Sequence, residues 1–506
     1  MTKLNPSVVC IGAGPAGLTA AYLLSKQGIA VTVLEQDPVY VGGISRTATY
    51  KDFAFDIGGH RFFSKSAEVN ALWTELLDKD FLDRPRKSRI YYRGRLFEYP
   101  IRAFDALVKL GPFEAVRCVL SYLMVKARPA VAAKTFEQWV TNRFGTRLFE
   151  IFFKTYTEKV WGMKCSEISA DWAAQRIKGF SLTKAIWHAI LPRNSARSGD
   201  KIIKTLINSF RYPRRGPGML WEEAARRVGA LGGQVLLGQR VVSLRRHETQ
   251  SQWTVLTRSA DGVERTIPCD HVISSMPMRE LAGALDPAPS ASLLRAAHGL
   301  RYRDFLTVAL IVKDRNIFDD NWIYIHEPGV KVGRIQNYKS WSPEMVPDSS
   351  LNCYGLEYFC FEGDGIWTSS DADLMRLAGD ELVKLGLADR SDIVDGTVVR
   401  QPKAYPVYDE GYQGRVDAIR QELESRYPTL HLVGRNGMHK YNNQDHAMMT
   451  AMLTVENIRL GRRAFDVWHV NQDAEYHEEG EAGTQRSFAG DAPSALGTER
   501  LVPGRV

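Results

Sequence analysis

Residues 8–35, VVCIGAGPAGLTAAYLLSKQGIAVTVLE, confine the chain to few folds, because they read as strand, glycine turn, helix and second strand in one unbroken run. Val8, Val9, Cys10 and Ile11 make an apolar stretch of the length of a buried parallel strand, and Ala20, Ala21, Leu23 and Leu24 give the helix an apolar face. Gly12, Gly14 and Gly17, with Ala16 among them, stand at the dinucleotide-binding spacing. Gly12 permits the tight turn, Gly14 lets a pyrophosphate approach the backbone, and Gly17 lets the helix pack close to the strand. Phosphates then meet free N–H groups at the helix start. Glu35 ends the second strand, where its carboxylate can accept hydrogen bonds from an adenosine ribose.

Two further glycine pairs follow, Gly42-Gly43 leading to Arg46, and Gly58-Gly59 leading to His60. A nicotinamide dinucleotide needs neither, whereas the extended diphosphate, ribityl chain and flat ring of FAD must be approached by backbone. With GxGxxG, a strand-ending Glu and GGxxR, the chain resembles the FAD-binding amine oxidase and protoporphyrinogen oxidase superfamily. The resemblance implies FAD as cofactor and an α/β fold. Its parts would be a Rossmann-like FAD-binding domain of the glutathione-reductase type, a helical insertion and a β-sheet substrate domain.

At 506 residues the chain exceeds what one core usually holds, and 44% hydrophobic composition suffices to fill two or three lobes. No stretch approaches the roughly 20 apolar residues of a membrane span, and the start MTKLNPS leads directly into the first strand, so a cytoplasmic location is expected. The six cysteines are scattered without CxxC or Cys/His spacing, which indicates neither disulfides nor a metal site. The formal charge of +8 is uneven: residues 471–506 hold seven acids against three arginines, leaving +12 on the rest. A basic body suits an anionic small molecule, while no aromatic-and-basic module points to nucleic acid.

Taken in order, residues 1–100 read as the first part of the FAD-binding domain, with an amphipathic helix over 64–77 and a hairpin over 89–100. Residues 101–215 read as a helical substrate-covering lobe. In it, Phe144, Phe149 and Phe152 fall at core spacing, and Trp161, after a polar run and before Gly162, suits either a core position or a cleft edge where it stacks on a planar ligand. The basic stretch 192–218 suits either a solvated face or a flap over a diphosphate. Residues 216–290 return to the FAD-binding domain, with 235–244 strand-like and Val242 on a segment expected to pass the adenine. Residues 291–425 read as a β-rich substrate domain, 426–468 as the C-terminal part of the FAD-binding domain, and 469–506 as a disordered acidic tail.

The motifs GGH, TYTEKVWG, LEYFCFE, AYPVY and GRNGMHKYNNQDH, within residues 7–460, resemble the UDP-galactopyranose mutases. That resemblance implies a flavoenzyme of cell-surface polysaccharide biosynthesis. Reduced flavin N5 would interconvert pyranose and furanose forms of a nucleotide sugar without net redox change, after reduction by NADPH or another reductant. Carried over by motif, Gly59 and His60 would face the flavin, and Trp161 would stack near the uridine or sugar. Arg176, Arg435 and Tyr441 would meet the diphosphate with Tyr405 as helper, and Gly434, Asn443 and Gln444 would hold the flavin. Two departures keep an alternative open: Arg61-Phe62-Phe63 stands where the bacterial mutases place a second histidine a few residues after the first, and Tyr358-Phe359 stands where they have a Tyr-Arg pair. The alternative is an FAD-dependent oxidoreductase of the amine oxidase or protoporphyrinogen oxidase type that takes hydride from its substrate. The oligomeric state is not encoded in any motif.

Overall fold

The computed structural model describes residues 6–101, 103–127, 132–170, 209–247 and 252–471. The first unit forms as its pattern demands. The strand Val8–Ile11 (β1) is buried throughout, the helix Pro15–Lys26 (α1) follows, and the strand Val31–Leu34 (β2) lies parallel to β1. Around them a five-stranded parallel sheet runs in the order Leu430–Leu432, His271–Ser274, β1, β2, Gln234–Leu236. One face is covered by α1 and the helices Ala67–Leu77, Gly218–Ala230 and Gln444–Arg459; the last is buried from Gln444 to Ile458. The sheet is therefore assembled from both ends and the middle of the chain.

A second sheet of seven strands runs Ile393–Pro406, Tyr302–Lys313, Leu351–Cys360, Arg334–Asn337, Trp322–Ile325, Ser88–Tyr92, Arg95–Glu98. Its pairs are antiparallel except Trp322–Ile325 against Ser88–Tyr92. The expected hairpin near residues 89–100 is present, turning at Arg93 and Gly94 with positive φ at both. It is bonded to this sheet and not to the parallel one, although it lies within the first 100 residues.

The helices Ala103–Leu110, Pro112–Lys126 and Phe136–Phe144 lead to a continuous helical run, Thr146–Phe149, Glu150–Lys154 and Thr155–Trp161. The middle segment is a π turn, whose extra residue rotates the face that follows by about 100°. Phe144, Phe149 and Phe152 are core residues, as their spacing predicts.

Several boundaries differ from expectation. The helix expected from residue 64 begins at Ala67, because Ser66 accepts a hydrogen bond from the Val69 N–H at 3.2 Å and caps it. The strand expected over 235–244 is two strands in different sheets, broken at Gly238, whose φ is +65°. Part of the basic stretch, Ser209–Pro213, pairs with Phe81–Pro85, where Arg211 lies over the Phe81 ring. Arg214 pairs with Glu344, so neither arginine belongs to a flap. The rest of that stretch, from 192 to 208, and Arg176 lie outside the described residues. The tail was expected from 469, yet Val470 is fully buried and Asn471 Nδ2 donates to the Tyr441 carbonyl at 3.0 Å. Among the described residues no helix is long and apolar enough to cross a membrane.

Candidate functional site

Two cavities meet where the parallel sheet faces the seven-stranded sheet. The larger, about 950 Å³, is lined by Gly12, Gly14, Ala16, Glu35, Gly43, Arg46, Val242 and Gly434 among others. That size is at the upper end of small-molecule sites, roughly 300–1,000 Å³. The smaller, about 370 Å³, contains Gly59, His60, Trp161, Arg334, Tyr405 and Tyr441. Ile44, Arg435, Asn443 and Gln444 line both and form the junction.

The glycines divide by task. A Cβ on Gly17 would lie 1.9 Å from the Gly12 carbonyl oxygen, and one on Gly12, at φ +95°, would lie 2.3 Å from Ser275 Oγ. Gly42 likewise meets Trp221. These three are required by the protein itself. Gly14 is different: its φ is −81°, and an added Cβ would come no nearer than 3.9 Å to another part of the chain, at Gly43 Cα. Nothing in the fold needs glycine there, so its methylene gap faces the cavity. The α1 N-terminus beside it has no side-chain cap and no acid in its first turn, which leaves its N–H groups to an anion.

Glu35 lines the same cavity at the end of β2. Its carboxylate accepts from the Ala13 N–H at 2.7 Å and the Asp37 N–H at 2.9 Å, which fixes its orientation. Burial raises its pKa, the two backbone donors opposing. Arg46 donates to the Gly43 carbonyl at 2.9 Å and to Gln401, bracing the second glycine turn. At the junction, Asn443 forms a capping box with His446, so it also serves the helix start. Gln444 Nε2 donates to the Arg61 carbonyl at 3.2 Å while its buried Oε1 has no partner among the described residues. An open-faced glycine, an uncapped helix start, a strand-ending carboxylate and an orphaned buried acceptor together fit a dinucleotide. Replacing Glu35 by Ala is expected to lower cofactor affinity about tenfold, since a charge-assisted pair is lost; flavin absorbance after gel filtration measures it, and full retention would refute the assignment.

The smaller cavity is aromatic and positive. Tyr405 and Tyr441 stack at 5.5 Å and 10°, and the Arg435 guanidinium sits 5.4 and 4.9 Å from their centroids. Arg435 is held by its Nε–H to the Asn442 carbonyl at 2.9 Å and its Nη1–H to the Ala404 carbonyl at 3.0 Å. Trp161 is nearly buried, belongs to the helical core as one of its readings has it, and also lines the cavity. His60 keeps partial exposure, and Nδ1 has no partner among the described residues; burial first, then Arg435 and Arg334, push its pKa down to about 3. It is a neutral imidazole at pH 7. Gly59 and His60 face this cavity rather than the cradle of the α1 turn.

Sequence reading missed Arg334. It stands opposite Glu357 in the antiparallel register, and their side chains pair, with Gln336 Nε2 donating to the same carboxylate at 2.7 Å. The available signal is a lone acid within the apolar strand Leu351–Cys360, which demands a partner. His326, stacked on Tyr156 at 5.1 Å, and Arg86 also line the cavity and were not foreseen.

The chain is 26% identical to a Klebsiella pneumoniae protein named as probable UDP-galactopyranose mutase over 179 residues, 33% of this chain and 44% of that relative. The match thus spans less than half of that relative's length. It is 22% identical over 476 residues to coproporphyrinogen III oxidase of Bacillus subtilis, covering 86% and 94% of the two chains. A crystal structure of reduced UDP-galactopyranose mutase has the same fold, with TM-score 0.77 at 22% identity and coverage of 91% and 94%. The family model described as flavin containing amine oxidoreductase matches residues 15–454, nearly all of the two-cavity architecture. The chain belongs to the flavin containing amine oxidoreductase family, and its cofactor is a flavin.

Proposed function

We propose that the cradle holds FAD and that the smaller cavity takes a nucleotide sugar, whose ring the enzyme rearranges without net redox change. The observation that carries this reading is the convergence of Arg334 and Arg435 on a cavity walled by Tyr405, Tyr441 and Trp161. Two guanidiniums suit a diphosphate, and flat aromatic faces suit a base and a sugar. Bound reduced flavin supplies a nucleophilic N5; the chain supplies binding, orientation and exclusion of water. Arg435, beside the junction, neutralises charge on a departing diphosphate. His60, neutral, offers Nδ1 as a hydrogen-bond acceptor without adding charge.

The oxidoreductase alternative has its own support: the cavity continues to Ile90, Ile101, Phe136, Phe152 and Phe153, an apolar end that suits a hydrophobic substrate body. The deciding experiment reduces the purified holoprotein anaerobically with dithionite and adds UDP-galactopyranose. Furanose product with the flavin still reduced supports the mutase reading; no conversion, together with a substrate that gives hydride to the oxidised enzyme and bleaches its flavin, supports the alternative. Under the first reading Arg435→Ala is expected to weaken UDP binding about tenfold to a hundredfold at full flavin occupancy. Unaltered UDP affinity would remove Arg435 from the diphosphate site.

A further inference from the structure

Among the described residues, twelve large apolar side chains are exposed, and six of them, Val108, Phe113, Val116, Leu120, Leu123 and Met124, lie on the adjoining helices Ala103–Leu110 and Pro112–Lys126. Phe113 is 75% exposed. Along Pro112–Lys126 the exposed positions advance by three, four, three and one residues, which aligns them on one face. The opposite face is spent on packing: Cys118 and Tyr122 are buried in the helical core beside Phe136 and Phe152, which wall the smaller cavity. The helix is thus apolar on both faces, and among the described residues the outer stripe packs in no core cluster.

The charge around the stripe says what covers it. In and just after the two helices the described residues carry four lysines and arginines, Lys109, Arg117, Lys126 and Lys134, against two acids, Asp105 and Glu114. Asp105 is paired with Lys109 at 2.7 Å, and Glu114 is bridged by Arg117 at 2.6 Å and Arg147 at 2.7 Å. Both acids are neutralised and the surplus is positive. An apolar stripe on a helix of about 22 Å, on a segment with a positive surplus that includes Lys126 at the helix end, is the pattern of a helix lying in a bilayer interface. We propose that the outer face of these two helices docks on an anionic lipid surface, placing the apolar end of the smaller cavity toward the membrane. The helix lies on the bilayer and does not span it. This docking is independent of whether the chemistry is isomerisation or hydride transfer.

The test is flotation of the full-length holoprotein with liposomes of phosphatidylcholine alone or with about one-third phosphatidylglycerol. Binding to the anionic liposomes is expected to be about tenfold or more tighter than to neutral ones, and to weaken with salt. The double variant Phe113→Asp with Leu120→Asp should lose about tenfold or more of that affinity while keeping its flavin spectrum. Phe113→Trp should retain it. Absence of flotation at low salt would overturn the proposal. So would equal binding by wild type and double variant, or a dimer in light scattering that the double variant dissociates, which would assign the stripe to a second copy.

Discussion

A Gly14→Val protein is expected to purify folded and colourless. The β-carbon of the new side chain meets no protein atom within 3.9 Å, and the backbone at 14 is extended and open to any residue. What the side chain does occupy is the space beside the uncapped α1 start, where the cofactor diphosphate is proposed to lie. Overpacking there by about 1–3 kcal/mol lowers flavin affinity roughly tenfold to a hundredfold, with little change in the urea midpoint of the apoprotein. Gly17→Ala should behave oppositely, because its β-carbon falls 1.9 Å from the Gly12 carbonyl and the strand–helix contact must open. That variant is expected to lose stability before cofactor affinity can be measured. If Gly14→Val keeps its flavin at wild-type strength, the cavity at α1 is not the diphosphate site.

Arg334→Ala should be costly for a different reason. Glu357 is fully buried, and burial raises its pKa while Arg334 opposes that rise. Removing one partner of a buried pair leaves the other charge uncompensated, a loss of about 3–5 kcal/mol. The pH dependence follows in sign. With its folded pKa raised further, Glu357 holds a proton in the folded state that the unfolded chain releases above about pH 4.3. The unfolded reaction is common to both proteins, so the deficit of the variant relative to wild type is smallest below the raised folded pKa of Glu357 in the wild type and grows as pH rises through it toward the still higher folded pKa of the variant. Glu357→Gln added to Arg334→Ala should flatten this dependence and recover part of the stability without restoring UDP affinity. Urea titrations across pH, paired with UDP binding, separate the two roles; a pH-independent deficit would mean that Glu357 is not the group left charged.

What could be read ahead of the structure was local. Gly12, Gly14, Gly17 and Glu35 act within one strand–helix–strand unit, so their spacing carries their geometry, and all lie where that spacing puts them. The aromatic pair Tyr405 and Tyr441 was legible only through family motifs, since the residues are brought together by the turn after Leu430–Leu432. Arg334 escaped because its meaning depends on register with a strand some twenty residues on, which no periodicity in either strand reveals. The break at Gly238 escaped because Leu236 and Val241 are equally strand-like, and only the positive φ between them sends one strand to each sheet. Trp161 showed a limit of another kind: a side chain can fill a core and wall a cavity at once.

The interleaving of the parallel sheet also governs the order of events during synthesis. β1 and β2 leave the ribosome well before the rest of their sheet, since the neighbours of β1 include His271–Ser274, the outer strand is Leu430–Leu432, and the cover over α1 is a helix buried through Ile458. Until those last segments emerge, the N-terminal unit has bare edges and an uncovered apolar face, a state prone to non-native association. The flavin therefore cannot template the early folding of its own cradle. It can meet a finished cradle only once the chain through the helix Gln444–Arg459 has emerged, which makes cofactor loading a late event in the folding of this architecture.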